Sequence, residues 1–145
     1  MRVDYNVPVR DGAVTDPKRI YATLPTLRKI LELGILIINK YWVLGPKSVV
    51  LMSHRGRPNG VRNFKYSLHP VVPILEESLG RKVTFLGDCC GPEIERACMN
   101  AQNGSVILLE NLRFYAEEQG AFKDPNGVKV YLIYDGTLHL AALVK

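Results

Sequence analysis

The stretch "VVLMSHRGRPNG" (49–60) runs an apolar segment into His54, Arg55 and Arg57, with Arg62 just beyond. A second stretch, "LLENLRF" (108–114), ends in Glu110, Asn111 and Arg113. Asp4 and Asn6 lie near the start, in "MRVDYN", and Arg19 sits in "PKRIY". Guanidinium forks match the paired oxygens of carboxylates and phosphates. Several of them gathered at one rim fit a small ligand that carries more than one negative charge.

Taken singly, each residue also has an everyday reading. A loop arginine is ordinarily solvated, and that serves for Arg55, Arg62 and Arg81. His54 suits a hydrogen-bonded loop histidine as well as a ligand contact. Asp4 can tie its own loop to Asn6 or to an arginine. Glu110 reads better as the buried partner of a cation than as a catalytic acid. The glycines of "RGRPNG" form no phosphate cradle, because neither G-x-G-x-x-G nor G-x-x-x-x-G-K-[ST] occurs in the chain.

The elements that position these residues can be read from periodicity and punctuation. "MRVDY" fits the end of a strand, and "NVPVRDGAVTD" (6–16) reads as loop. Asp16 before Pro17 starts a helix, and Ile20, Leu24, Leu27 and Leu31 keep helical spacing up to a stop at Gly34. Pro25 inside that pattern predicts a kink or a fresh start. "SVVLMS" (48–53) and "GSVILLE" (104–110) are continuous apolar runs, as in strands covered on both faces. "KVTFL" (82–86) is a third, shorter strand. "SLHPVVPILEESLG" (67–80) predicts a helix closed by Gly80, and "GPEIERACMNA" (91–101) one opened by proline and acids. Alternation of strand and helix predicts an α/β domain with a mainly parallel sheet. In such sheets ligands bind outside the carboxyl ends of the strands. Asp4 and Asn6, His54 to Arg57, and Glu110 to Arg113 are then the residues that share one rim, with Arg19 in reach.

Composition bounds the class. A length of 145 residues with 47% hydrophobic and 23% charged content suits a globular domain or part of one. The net charge of +5 favours anionic partners. It does not point to nucleic acid, since the basic residues do not interleave with aromatics along one face. "GILIINKYWVLG" (34–45) is too short for a bilayer span and contains Lys40. Cys89, Cys90 and Cys98 make no even framework and have no zinc-site company, which predicts a reduced, cytoplasmic chain.

"MRVDYNVP", "VVLMSHRGRPNG", "KYSLHPV", "FLGDCCGPEIERAC" and "GSVILLENLRFYAEEQG" resemble consecutive blocks of the N-terminal domain of phosphoglycerate kinase. "SH-x-GRP" and "LLENLRF" are highly specific, and the likeness covers residues 1–34 and 47–130. It implies part of a Rossmann-like N-terminal domain from a glycolytic kinase. Such a kinase moves a phosphoryl group reversibly between 1,3-bisphosphoglycerate and ADP, with Mg2+. By the same likeness Asp4, Asn6, Arg19, His54, Arg57 and Arg113 correspond to positions that contact 3-phosphoglycerate. Arg19 matches the arginine that stabilises the phosphoryl group in flight, a role that suits a transfer needing cations more than covalent help. The family is typically monomeric.

The departures carry information too. The family normally has leucine where this chain has Arg55 and a hydrophobic residue where it has Cys90. Arg55 either enlarges the basic patch or distorts the loop if its side chain packs inward. The family also begins upstream of "RVDYN". Residues 35–46 replace a short junction, and 131–145 match nothing in the family. A further patch arginine and the C-terminal nucleotide-binding domain, with its ATP, ADP and Mg2+ ligands, are absent from this sequence. The expectation is a 3-phosphoglycerate half-site that is inactive by itself. The rival expectation is a truncated or mis-spliced fragment that acts at most as an anion-binding or interaction module, and sequencing the mature transcript decides whether 35–46 is an annotation artefact. The apolar tail "VYLIYDGTLHLAALV" is expected to pair as a substitute strand.

Overall fold

The computed structural model describes residues 1–32, 35–38, 41–44, 48–123 and 129–131. The chain opens with a two-stranded hairpin, β1 (Val9–Arg10) and β2 (Ala13–Val14), in the segment expected to be loop. Its turn is Asp11–Gly12, both at positive φ (49° and 77°). Asp-Gly between short apolar pairs is the signal for such a turn.

The helical pattern after Asp16 splits into α1 (Lys18–Tyr21) and α2 (Leu24–Glu32). The break falls just before Pro25, where a fresh start was expected. Asp16 Oδ1 accepts the Lys18 N–H at 3.2 Å, but Pro17 takes the N-cap place and not the first helical position expected of it. The stop at Gly34 lies outside the described residues. Next come β3 (Ile35–Ile38) and β4 (Tyr41–Leu44), an antiparallel pair that forms its own sheet. Then follow β5 (Ser48–Leu51), α3 (Val72–Leu79), β6 (Val83–Leu86), α4 (Pro92–Met99), β7 (Ser105–Leu109), β8 (Ala121–Lys123) and β9 (Lys129–Tyr131). β8 and β9 pair antiparallel. Tyr131 of the tail thus sits in a strand, while residues 132–145 of the proposed substitute strand lie outside the described residues. No helix of the described residues is long and apolar enough to cross a membrane.

The central sheet is parallel, in the order β5-β7-β6. β7 explains why its sequence reads as one apolar run. Val106 and Leu108 pack into one cluster with Ile20, Leu24, Leu27 and Leu75 from α1, α2 and α3. Ile107 and Leu109 pack into a second cluster on the opposite face, with Ile94 of α4. Side chains alternate faces along a strand, so burial on both sides requires apolar residues throughout. "MRVDY" contributes a single parallel bridge, Arg2 to Met52, beside β5.

α3 begins later than the apolar pattern predicts. Ser67 and Leu68 are held by Glu110, and a short 3-10 turn at His69–Val71 precedes the helix proper.

Candidate functional site: a basic rim at the carboxyl ends of the strands

β5 and β7 run parallel with Leu51 beside Leu108, so their chains leave the sheet at the same edge. The two exits, 53–57 and 110–113, are then stitched together. Leu112 N–H donates to Ser53 O at 3.1 Å. Asn111, fully buried, accepts from the N–H groups of Arg55 (3.1 Å) and Arg113 (3.0 Å) through Oδ1. Its Nδ2 donates to the carbonyls of Arg55 (2.6 Å) and Tyr66 (2.8 Å). One amide side chain therefore satisfies four backbone groups, which a buried loop cannot leave unpaired without loss.

The N-terminal segment joins the same edge. Tyr5 N–H donates to Ser53 Oγ at 2.9 Å, and the Tyr5 hydroxyl lies 2.9 Å from Thr23 Oγ1 at the break between α1 and α2. Asp4 accepts from the Asn6 N–H at 3.1 Å and forms an ion pair with Arg19. The everyday reading of Asp4 holds, since it binds both Asn6 and an arginine. Asn6 Oδ1 accepts the Gly56 N–H at 2.9 Å, and Arg113 Nη1 donates to Gly56 O at 2.8 Å. Gly56 is the hub of the loop. Its φ is +63°, and a Cβ there would fall 2.4 Å from Tyr66 Cδ1, so only glycine fits.

His54 is half-buried, and its ring makes no hydrogen bond to the described residues. Burial pushes its pKa below the ordinary histidine value. The Arg113 guanidinium lowers it further, against a smaller opposing pull from Asp4. Arg113 Nε is buried and has no hydrogen-bond partner among the described residues. Arg57 is exposed and makes no hydrogen bond or ion pair with them. The structure thus brings Asp4, Asn6, Arg19, His54 and Arg113 around the Gly56 loop. Arg57 lies on that loop, and no hydrogen bond or ion pair among the described residues fixes its side chain.

Arg55 corrects the expectation of a solvated loop arginine. It is buried, and its guanidinium donates inward to Val7 O (3.3 Å), Lys65 O (2.7 Å) and Ser67 O (2.8 Å). Burial lowers its pKa, and the nearby Glu110 carboxylate opposes that. Arg55 therefore does not enlarge the exposed patch. Glu110 is 3% exposed and accepts from Ser67 Oγ (2.7 Å) and from the N–H groups of Leu68 and Asn111 (both 2.8 Å). Arg62 is likewise tethered, to Gly87 O at 2.5 Å and Asp88 Oδ2 at 2.6 Å. Arg81 donates to Gly104 O at 3.0 Å.

Asn111 and Ser53 are the residues whose roles the sequence hides. Asparagine directly after a buried strand and before an arginine is a signal for such a staple, but its partners lie far away in the chain.

The family model for phosphoglycerate kinase matches residues 1–134. The chain belongs to the phosphoglycerate kinase family. It is 52% identical over 130 residues to the phosphoglycerate kinase of Tetrahymena thermophila, covering 90% of this chain and 28% of that one. Against the enzyme of Gallus gallus the identity is 52% over 131 residues, covering 90% and 29%. Among solved structures, phosphoglycerate kinase from Pyrococcus horikoshii OT3 superposes with a TM-score of 0.65 at 33% identity, covering 81% of this chain and 25% of that one. The Coxiella burnetii enzyme gives 0.59 at 32% identity, covering 79% and 25%. The chain thus spans less than a third of the curated relatives it matches. Its parallel sheet with helices on both faces agrees with part of a Rossmann-like N-terminal domain, as expected.

Proposed function

We propose that residues 1–130 carry the 3-phosphoglycerate-binding half-site of a phosphoglycerate kinase. The nucleotide half lies outside this stretch, and the chain by itself transfers no phosphoryl group. The supporting observation is the spare donor capacity at the rim. Arg113 is anchored through Nη1 to Gly56 O while its Nε is buried without a partner. Arg57 and the His54 ring, on the same loop, are likewise without hydrogen bonds to the described residues. A ligand bearing a carboxylate and a phosphate satisfies such groups, and in a half-buried setting each charge-assisted bond contributes about 1.5–3 kcal/mol.

In this reading Asp4 and Asn6 shape the floor and contact the acid, and Arg57 and Arg113 take its anionic oxygens. Arg19 exchanges its bond to Asp4 for the transferred group when the nucleotide half closes. Magnesium does not fit this cluster. Its one carboxylate, Asp4, is engaged by Arg19 and the Asn6 N–H, and the remaining side chains are guanidinium, amide and imidazole groups, not the oxygen set that Mg2+ takes. Magnesium and the nucleotide therefore belong to the other half. Residues 35–46 are a non-family insertion, a reading supported by β3 and β4 pairing with each other and not with the central sheet.

A coupled kinase assay on the purified chain tests the division of labour. No turnover is expected, and turnover would refute it. In parallel, 3-phosphoglycerate should shift amide resonances of 4–6, 54–57 and 111–113 in an NMR titration. Shifts confined elsewhere would reject the half-site.

A further inference from the structure

On the opposite face of the sheet from the α1 to α3 cluster, Asp88, Cys89 and Cys90 each present one ligand atom, all within 4.8 Å of one another. The basic-rim reading uses none of them. Cys89 is 1% exposed and packs against Ile94, Leu109 and Leu112, so two thiols and a carboxylate meet at the edge of an apolar wall. The Tyr115 hydroxyl donates to Asp88 Oδ1 at 2.9 Å, which also accepts the Cys89 N–H at 2.7 Å. Arg62 holds Asp88 Oδ2 at 2.6 Å.

We infer that Asp88, Cys89 and Cys90 form a site for a thiophilic divalent cation, Zn2+ in the first instance. Three arguments carry it. The first is geometry: tetrahedral zinc with bonds of about 2.0–2.3 Å sets its ligands about 3.5–3.8 Å apart, and the three donors already lie within 4.8 Å of one another. The second is charge. Two thiolates and one carboxylate carry three negative charges, and Zn2+ with the Arg62 guanidinium supplies three positive ones, leaving a neutral assembly against an apolar wall. The third is support: Tyr115 and Arg62 orient the carboxylate from outside, the arrangement that tunes metal ligands. Binding exchanges two thiol protons, released to solvent, for the ion, which retains water in its fourth position.

The full chain, reduced and metal-free, should be titrated with Cd2+ as a spectroscopic stand-in. The thiolate-to-cadmium charge-transfer band should saturate at one ion per chain, and Zn2+ should displace it. Cys90→Val should abolish the band. Cys98→Ala, which removes a thiol of the same apolar cluster that is outside the proposed ligand set, should retain it. Tyr115→Phe should keep the band but bind Zn2+ about tenfold more weakly in a chelator competition. Circular dichroism on every sample establishes folding. The absence of a band in the folded chain overturns the site, whatever the variants do. Persistence of the band in Cys90→Val, or its loss in Cys98→Ala, overturns the ligand assignment.

Discussion

Asn111 closes a two-way exchange with Arg55. Its Oδ1 accepts the Arg55 N–H at 3.1 Å while its Nδ2 donates to the Arg55 carbonyl at 2.6 Å. The residue leaving β7 thereby fixes the backbone of the loop leaving β5, and the same Oδ1 accepts the Arg113 N–H. The shape of the basic rim is set by a neutral side chain beneath it.

Replacing Asn111 with alanine orphans backbone groups of Arg55, Arg113 and Tyr66. Leaving buried groups unpaired costs about 1–3 kcal/mol each, less whatever water recovers, so a loss of about 3 kcal/mol is expected. Urea unfolding checks this. A change under about 0.5 kcal/mol, the range of neutral surface substitutions, would show that the staple is dispensable.

Arg55 and Glu110 are both buried and grip the same residue from two sides, Arg55 through the Ser67 carbonyl and Glu110 through the Ser67 hydroxyl. Glu110→Ala strips acceptors from Ser67, Leu68 and Asn111, and leaving such buried donors unpaired costs about 1–3 kcal/mol each, so a loss of about 3 kcal/mol is expected. Arg55→Leu should be less harmful in the Glu110→Ala background than in the native one, with a coupling of about 0.5–3 kcal/mol. Additive effects would mean that the two charges do not sense each other.

Much of this arrangement was legible beforehand, and the parts that were not share a cause. β7 announced itself because both of its faces are buried. The rim followed because parallel strands bring their ends together. Arg55 was misread because a loop arginine looks solvated in one dimension, while its three acceptors, Val7, Lys65 and Ser67, belong to other loops. The start of α3 was placed too early for the same reason, since Glu110, more than forty residues away, fixes Ser67 and Leu68. Asp11–Gly12 was a local signal, overlooked because the flanking strands are only two residues each.

Gly56→Ala combines a positive φ with a Cβ inside the Tyr66 ring contact. It should lower stability by more than about 1 kcal/mol and weaken 3-phosphoglycerate binding, because the loop carries Arg57 and meets Arg113. Native-like melting and binding would show that the loop yields without consequence.

His54 gives a pH signature. Its pKa is lowered in the folded chain, so across the window from the lowered value up to the ordinary value of about 6.5 the unfolded chain holds more protons. Stability should therefore rise with pH through that window and fall on acidification. His54→Gln should flatten the slope. Bound 3-phosphoglycerate should raise the His54 pKa, read from its imidazole NMR titration. A pKa indifferent to saturating ligand would place the anion away from His54.

The most direct test of the rim is calorimetric titration of the folded chain with 3-phosphoglycerate, using D-glycerate as the control without a phosphate. Saturable one-to-one binding is expected for the phosphorylated acid, weaker by about 1.5–3 kcal/mol in Arg113→Ala. A folded chain that takes up neither compound, or an Arg113→Ala affinity equal to the native one, would contradict the assignment of this rim to an anionic substrate.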